Sequence, residues 1–278
     1  MDSVEERAAR AAEIAAAGSL ERALASGALP QRIDLTVSEA LVLGLLRQGV
    51  TRFLCVLGHG STEVGEVLRI YADADLLRVC GVRSEIEASH AAAALRWVTG
   101  EKAAVVTSIG PGALQALAAS LVPRSNGLGV WYLLGDETSE DEGPNMQQIP
   151  SGGQGAYLNL FTTAGPAYAL HTPQALPTAL RRGLNAVDHP HRASPFFLLL
   201  PLNTQPAEMV AFNMRELPQG APPPLGAAAD GGRYARAARA LISARRVVVK
   251  VGGGARGCAE ALPTLLDLAR SEEHTSEL

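Results

Sequence analysis

Three places in this sequence hold residue types that can do proton or ligand chemistry. Glu85 opens the stretch E-I-E-A-S-H-A-A-A-A-L-R-W-V-T-G, and T-S-I-G-P-G follows from Thr107 to Gly112. A carboxyl group in a water-poor cleft can hold or pass a proton in a state that its surroundings tune. Gly110 and Gly112, on either side of Pro111, let backbone approach a ligand closely. The third place is Gly58-His59-Gly60, where an imidazole stands between two glycines after an apolar run. Gln115 and Gln148 are further pocket candidates, since an amide can orient a polar ligand.

Each of these residues also has a plainer reading. Ser84 with Glu87 three positions on is a capping-box pattern, which makes Glu87 structural. Glu85 taken alone would be a first-turn acid stabilised by the helix dipole. His90 lies five residues beyond Glu85, on another face of the same helix, and reads as a packed or hydrogen-bonded histidine. Asp136-Glu137 and Glu140-Asp141-Glu142 read as solvated loop charge, and His189 and His191 as turn decoration. Gly252, Gly254 and Gly257 match G-x-G-x-x-G literally, but no complete strand-helix-strand unit follows to hold a dinucleotide.

The elements that must position these residues follow from hydrophobic pattern. A helix is expected over 37–48, an apolar strand over 53–57 and a strand over 76–82. A helix over 85–98 and a strand over 103–107 come next, then a turn at Gly110 and a further helix. A strand over 129–134, a helix over 173–187 and a strand over 195–200 complete the series. Apolar runs alternating with helices indicate an α/β fold, an open parallel sheet with helices on both faces. Strand ends at Gly58, Gly110 and Gly135 then share the carboxyl edge, where such sheets bind ligands at the point of strand-order reversal.

Composition narrows the function classes. With 24 basic and 28 acidic residues and no basic run, nothing favours a nucleic-acid partner. No uninterrupted apolar segment predicts a signal peptide or membrane span, so a cytoplasmic location is the default. Cys55, Cys80 and Cys258 are widely spaced in apolar surroundings and read as reduced core thiols, with neither disulfide nor metal spacing.

In order and spacing, Glu85, His90, Ala92, Thr99, Gly100, Thr107, Ser108, Gly110, Pro111 and Gly112 resemble the pyrimidine-binding domain of the acetohydroxyacid-synthase-like thiamine-diphosphate enzymes. The resemblance runs from about Leu35 to Pro206. The segments G-H-G, G-P-G-A-L-Q-A and N-M-Q-Q-I-P most resemble the branch that includes trihydroxycyclohexanedione hydrolase. Ser84 and Glu87 depart from the His and Gln frequent in the family, which leaves substrate and reaction open. The resemblance implies that Glu85 hydrogen-bonds the aminopyrimidine of thiamine diphosphate and so activates the cofactor. Gly58, His59, Gly60, Gly110, Pro111, Gly112 and Gln115 would line its site, with Gln148 toward substrate.

It further implies a small carbonyl substrate, with C–C bond hydrolysis of a cyclic diketone, or transfer or decarboxylation of a 2-oxo acid, as the reaction. It implies a homodimer or tetramer with the cofactor between subunits. Magnesium ligands are expected in a further domain carrying G-D-G…N, a motif absent from this sequence, and FAD use is left open. A non-catalytic nucleotide- or partner-binding α/β module is the rival reading.

The expected organisation is a helical extension over 1–34, the pyrimidine-binding domain over 35–205, a Pro- and Gly-rich linker over 206–232, and the truncated start of a second α/β domain over 233–269. A strand over 246–251 is expected in that last segment. Residues 270–278 form an abrupt polar run that can be back-translated to a sequencing-adapter sequence, and they are expected to be non-native. On this reading the fragment alone is inactive and its parent is the enzyme.

Overall fold

The computed structural model describes residues 3–140, 148, 155–223, 231–253, 255 and 261–270. The chain divides into two compact units, Met1–Pro222 and Pro223–Leu278.

The first unit starts with two helices, α1 (Val4–Ala17) and α2 (Leu20–Ser26). Ser3 and Glu6 close a capping box at the start of α1, and Gly18, left-handed at φ 79°, ends it. Residues 1–34 were expected as a helical extension, yet Ala11, Ile14, Leu20 and Ala23 are buried in the main core. The anchor is ionic as well as apolar. Arg10 reaches the fully buried Glu39 through two hydrogen bonds of 3.0 and 2.6 Å. The Tyr71 hydroxyl donates to the same carboxylate at 2.8 Å.

Next come β1 (Arg32–Thr36), α3 (Val37–Arg47), β2 (Val50–Val56), α4 (Thr62–Asp73) and β3 (Arg78–Gly81). Then α5 (Glu85–Val98), β4 (Lys102–Thr107), α6 (Pro111–Ser125) and β5 (Trp131–Asp136) follow. The unit continues with α7 (Ala156–Thr162), β6 (Ala167–Ala169), α8 (Leu176–Val187), β7 (Phe196–Pro201) and β8 (Glu208–Asn213).

Six strands form one sheet in the order β3-β2-β4-β5-β7-β6, every neighbouring pair parallel. Alternation along the strands feeds two cores, as a sheet covered on both faces requires. Phe53, Ala104, Val106, Trp131, Leu133, Phe196 and Leu198 point to one side. Leu54, Ala103, Val105, Tyr132, Leu134, Phe197 and Leu199 point to the other. The α/β expectation holds, with helices on both faces.

Two departures concern the last expected segments. The stretch expected to begin a linker at residue 206 instead forms β8, which pairs antiparallel with β1 in a separate two-stranded sheet. Met209 and Phe212 supply the reason, because they bury against the main core from this strand. In the second unit, α9 (Gly231–Ser243) and α10 (Ala261–Arg270) form, but residues 246–251 are not a strand. Val248 is 85% exposed. An apolar run without a neighbouring strand among the described residues has no ladder to join, so hydrophobicity alone does not make it β.

Candidate functional site

Chain order sets where the site lies. From β2 the chain moves outward to the edge strand β3, then returns through α5 to β4 on the other side of β2. Strand order therefore reverses between β2 and β4, and the loops leaving those two strands part at their carboxyl ends. The crevice at such a point is the usual ligand site of an open α/β sheet. Here the loops touch, as the Ile109 amide donates to the His59 carbonyl at 3.0 Å.

Glu85 enters this edge as the first residue of α5. Ser84 caps the helix by accepting from the Glu87 amide, while Glu87 turns back to accept from the Arg83 amide at 3.1 Å. Glu87 is thus a capping residue, as its spacing indicated. Glu85 is different: it is 7% exposed, and its carboxylate meets no hydrogen-bond donor among the described residues. The carboxylate is therefore left able to accept a hydrogen bond from a ligand.

The G-P-G turn forms the wall facing that carboxylate. Gly110 is left-handed at φ 65° and caps α6, whose first residue is Pro111. A side chain at Gly110 would meet the Gln148 carbonyl at 2.6 Å and the Tyr157 hydroxyl at 3.0 Å. At Gly112 a Cβ would stand 2.6 Å from both Glu85 Oε1 and Ser108 Oγ. These two glycines keep open the space beside Glu85 and the entrance to α6.

The β2 loop closes the other side. Gly60, at φ 82°, lies against Ile109 and Gly135, where a Cβ would come within 2.3 Å of the isoleucine side chain. Gln205 pins this loop: its Nε2 donates to the Gly60 carbonyl at 2.7 Å and the Leu200 carbonyl at 2.8 Å. Because both partners are acceptors, the amide orientation is fixed. Gln205 carried no signal in the sequence beyond its place after β7.

Most of the expected site residues converge. Gly58, His59, Gly60, Glu85, Gly110, Pro111 and Gly112 share the carboxyl edge, and Gln148 joins them through its carbonyl, which accepts from the Tyr157 hydroxyl. Gln115 is exposed on α6, and no contact of its side chain links it to Glu85. His90 is exposed rather than packed, because α5 buries Glu85, Ala88, Ser89, Ala92 and Ala93 instead. His189 does decorate a turn, its Nδ1 accepting from the His191 and Arg192 amides.

Glu137 overturns the solvated reading given to its loop. It is 8% exposed and stands 3.3 Å from His59 Nε2. Burial raises the Tyr157 phenol above its ordinary range, and the charges of Asp136 and Glu137 add to that. Asp141 and Glu142 lie outside the described residues. No group of residues able to hold a metal ion occurs among the described residues, and no helix among them is long and apolar enough to cross a membrane.

Residues 35–154 match the family model described as thiamine pyrophosphate enzyme, N-terminal TPP binding domain. The matched stretch begins in β1 and contains Glu85, the β2 loop and the G-P-G turn. It supports a thiamine-diphosphate-dependent enzyme family, with thiamine diphosphate as the ligand of this domain. No curated protein matches the chain.

The site fits the aminopyrimidine half of that cofactor. Glu85 offers a buried acceptor without a protein donor, and the Gly110–Gly112 turn offers a cradle that any side chain would fill. No diphosphate-binding or magnesium-binding set is seen among the described residues.

Proposed function

We propose that this chain is the pyrimidine-binding part of a thiamine-diphosphate-dependent enzyme acting on a C–C bond next to a carbonyl. Glu85 carries the proposal. A buried carboxylate at the start of a helix, beside a Cβ-free wall and at the reversal point of the sheet, suits a polar ring nitrogen that must be held in one protonation state.

In this reading Glu85 holds a proton at the aminopyrimidine ring nitrogen, and Gly110 and Gly112 let the ring approach. Gly58, His59 and Gly60 form the opposite wall, with Gln148 on the substrate side. The bound cofactor supplies a nucleophilic carbon and an electron sink. The protein orients it and excludes water. Magnesium and the diphosphate would be held by a segment other than this one.

A small carbonyl compound is the expected substrate. Hydrolysis of a cyclic diketone is the preferred reaction on the strength of the G-H-G and N-M-Q-Q-I-P segments, with 2-oxo-acid transfer or decarboxylation as the second. Exposed apolar side chains on α5 and α6, Trp97 and Leu121 among them, support assembly as a homodimer, with Glu85 serving a cofactor held between subunits.

The test is titration of thiamine diphosphate and magnesium into the protein expressed from its complete reading frame, wild type and Glu85→Gln. Binding and exchange of the cofactor's C2 proton are both followed. Rapid exchange in the wild type with slow exchange in a variant that still binds supports the reading. Absence of binding in both replaces it with the non-catalytic module.

A further inference from the structure

We infer that His59 and Glu137 form a second functional pair in this site, a carboxylate-backed imidazole that passes a proton to the substrate's carbonyl oxygen. The inference rests on the thiamine-diphosphate reading above and assigns the substrate side of the same edge.

The geometry separates the two members. Glu137 is 8% exposed, whereas the His59 side chain is 41% exposed. The carboxylate is therefore the inner group and the imidazole the outer one, and His59 is the one side chain among the described residues that stands within ion-pair distance of Glu137. Nε2 lies 3.3 Å from Glu137 Oε1, which makes Nε2–H the donor to the carboxylate and leaves Nδ1 free. A carboxylate behind an imidazole fixes its tautomer and the orientation of the ring.

The backbone holds this ring in place with unusual thoroughness for an exposed loop. Gly58 donates to Ser61 Oγ at 3.0 Å, and the Ser61 hydroxyl donates back to the Gly58 carbonyl at 3.1 Å. The His59 carbonyl accepts from Ile109, and the Gly60 carbonyl accepts from the buried Gln205 amide. Gly135 lies directly under Gly60, where a Cβ on Gly135 would stand 2.7 Å from the Gly60 carbonyl oxygen. That contact brings the β2 loop over the end of β5, and so brings His59 to Glu137. A histidine that merely decorated a loop would need none of these ties.

The step balances without a further reactant. Attack on a carbonyl carbon places negative charge on its oxygen. The Nδ1–H bond of the protonated ring breaks, an O–H bond forms at the substrate, and the ring stays bonded to Glu137 through Nε2–H. Water returns the proton to Nδ1. Reversal of the same transfer would return the proton from the substrate oxygen to Nδ1.

The test reads the ring itself rather than turnover. The protein from its complete reading frame is treated with diethyl pyrocarbonate, which modifies an accessible imidazole nitrogen, and the adduct at His59 is quantified by peptide mapping. The comparison is made for wild type and Glu137→Gln, with and without thiamine diphosphate and magnesium, while cofactor binding is measured by calorimetry. Glu137→Asp is included as the variant that keeps the charge.

The expected result is modification of His59 in the wild type and several-fold faster modification in Glu137→Gln, because losing the Nε2–carboxylate contact releases the ring from one orientation and opens Nε2 as well as Nδ1 to the reagent. Partial recovery is expected in Glu137→Asp, with shielding of His59 by bound cofactor. If the cofactor binds but neither shields His59 nor leaves its reactivity dependent on residue 137, the pair is overturned and the proposed function stands. If the cofactor does not bind the wild type, the proposed function fails and the pair's role falls with it.

Discussion

The carboxylate of Glu85 faces the bare Cα of Gly112, and a single methyl group there would lie 2.6 Å from Oε1. Glu85 opens α5 and Gly112 is the second residue of α6, so the starts of two helices set one side chain's position. Ser108 Oγ would lie at the same 2.6 Å from that methyl.

Gly112→Ala therefore separates folding from function. Both obstructing atoms are the ends of short flexible side chains, which can swing aside at little cost to the backbone. Thermal stability is expected to stay near that of the wild type, whereas exchange of the cofactor's C2 proton falls by about a hundredfold or more, the scale of a lost acid–base group. Calorimetric melting and exchange monitored by NMR check the two halves. A fully active alanine variant would show that the Glu85 carboxylate is not used where it stands.

The anchor of α1 is equally specific. Arg10 binds the fully buried Glu39, which the Tyr71 hydroxyl also contacts. Removing one member of a buried ion pair costs up to about 3–5 kcal/mol, less where other partners of the remaining charge stay in place. Arg10→Ala is expected to lose a large part of that in urea unfolding, while Arg69→Ala, in an exposed pairing with Glu66 and Asp73, keeps its midpoint near that of the wild type. Equal losses would mean that α1 is held by its apolar contacts alone.

How much of this was visible in the sequence depended on whether neighbours were local. Apolar alternation placed β2, β4, β5 and β7 and the cover on both faces, because each strand's pattern is its own. Glu85 and Gly112 were visible because both lie at element starts with turn chemistry around them. Glu137 was not. It sits in D-E-T-S-E-D-E, which looks solvated by composition, and only the packing of Gly60 on Gly135 puts it under cover. β8 was hidden for the same reason, since its partner β1 lies near the other end of the unit. Residues 246–251 erred in the opposite direction: the run is apolar enough for a strand, but a strand needs a neighbour.

Helix α8 rests on Trp131 through a glycine. A Cβ at Gly183 would stand 1.9 Å from the indole ring, and that ring is itself wedged edge-on against Phe196 at 5.3 Å between centroids. Unlike the case of Gly112, the obstructing group is a rigid buried ring. Gly183→Ala is expected to destabilise by about 1–3 kcal/mol through overpacking, with a change in the near-ultraviolet circular dichroism of tryptophan. Wild-type stability would mean that α8 can lift from the sheet freely.

The cysteines divide by strand, contrary to the expectation of core thiols throughout. Cys55 is buried on β2, and Cys80 is exposed on the edge strand β3. Cys258 lies outside the described residues. Burial first, and then the charge of Cys80, pushes the Cys55 thiol from 9.0 up to about 12. A thiol reagent at neutral pH is expected to modify Cys80 and to reach Cys55 only on unfolding, since the thiolate is the reactive form. The same shift sets a sign for stability. Below about pH 9 Cys55 is protonated in both states and its contribution is complete. As pH rises from 9 toward 12 the unfolded chain gives up this proton while the folded chain keeps it, so folding weakens. Urea midpoints measured across that range should fall less steeply in Cys55→Ala than in the wild type. Parallel slopes would mean that Cys55 ionises as readily in the folded protein as in the unfolded chain.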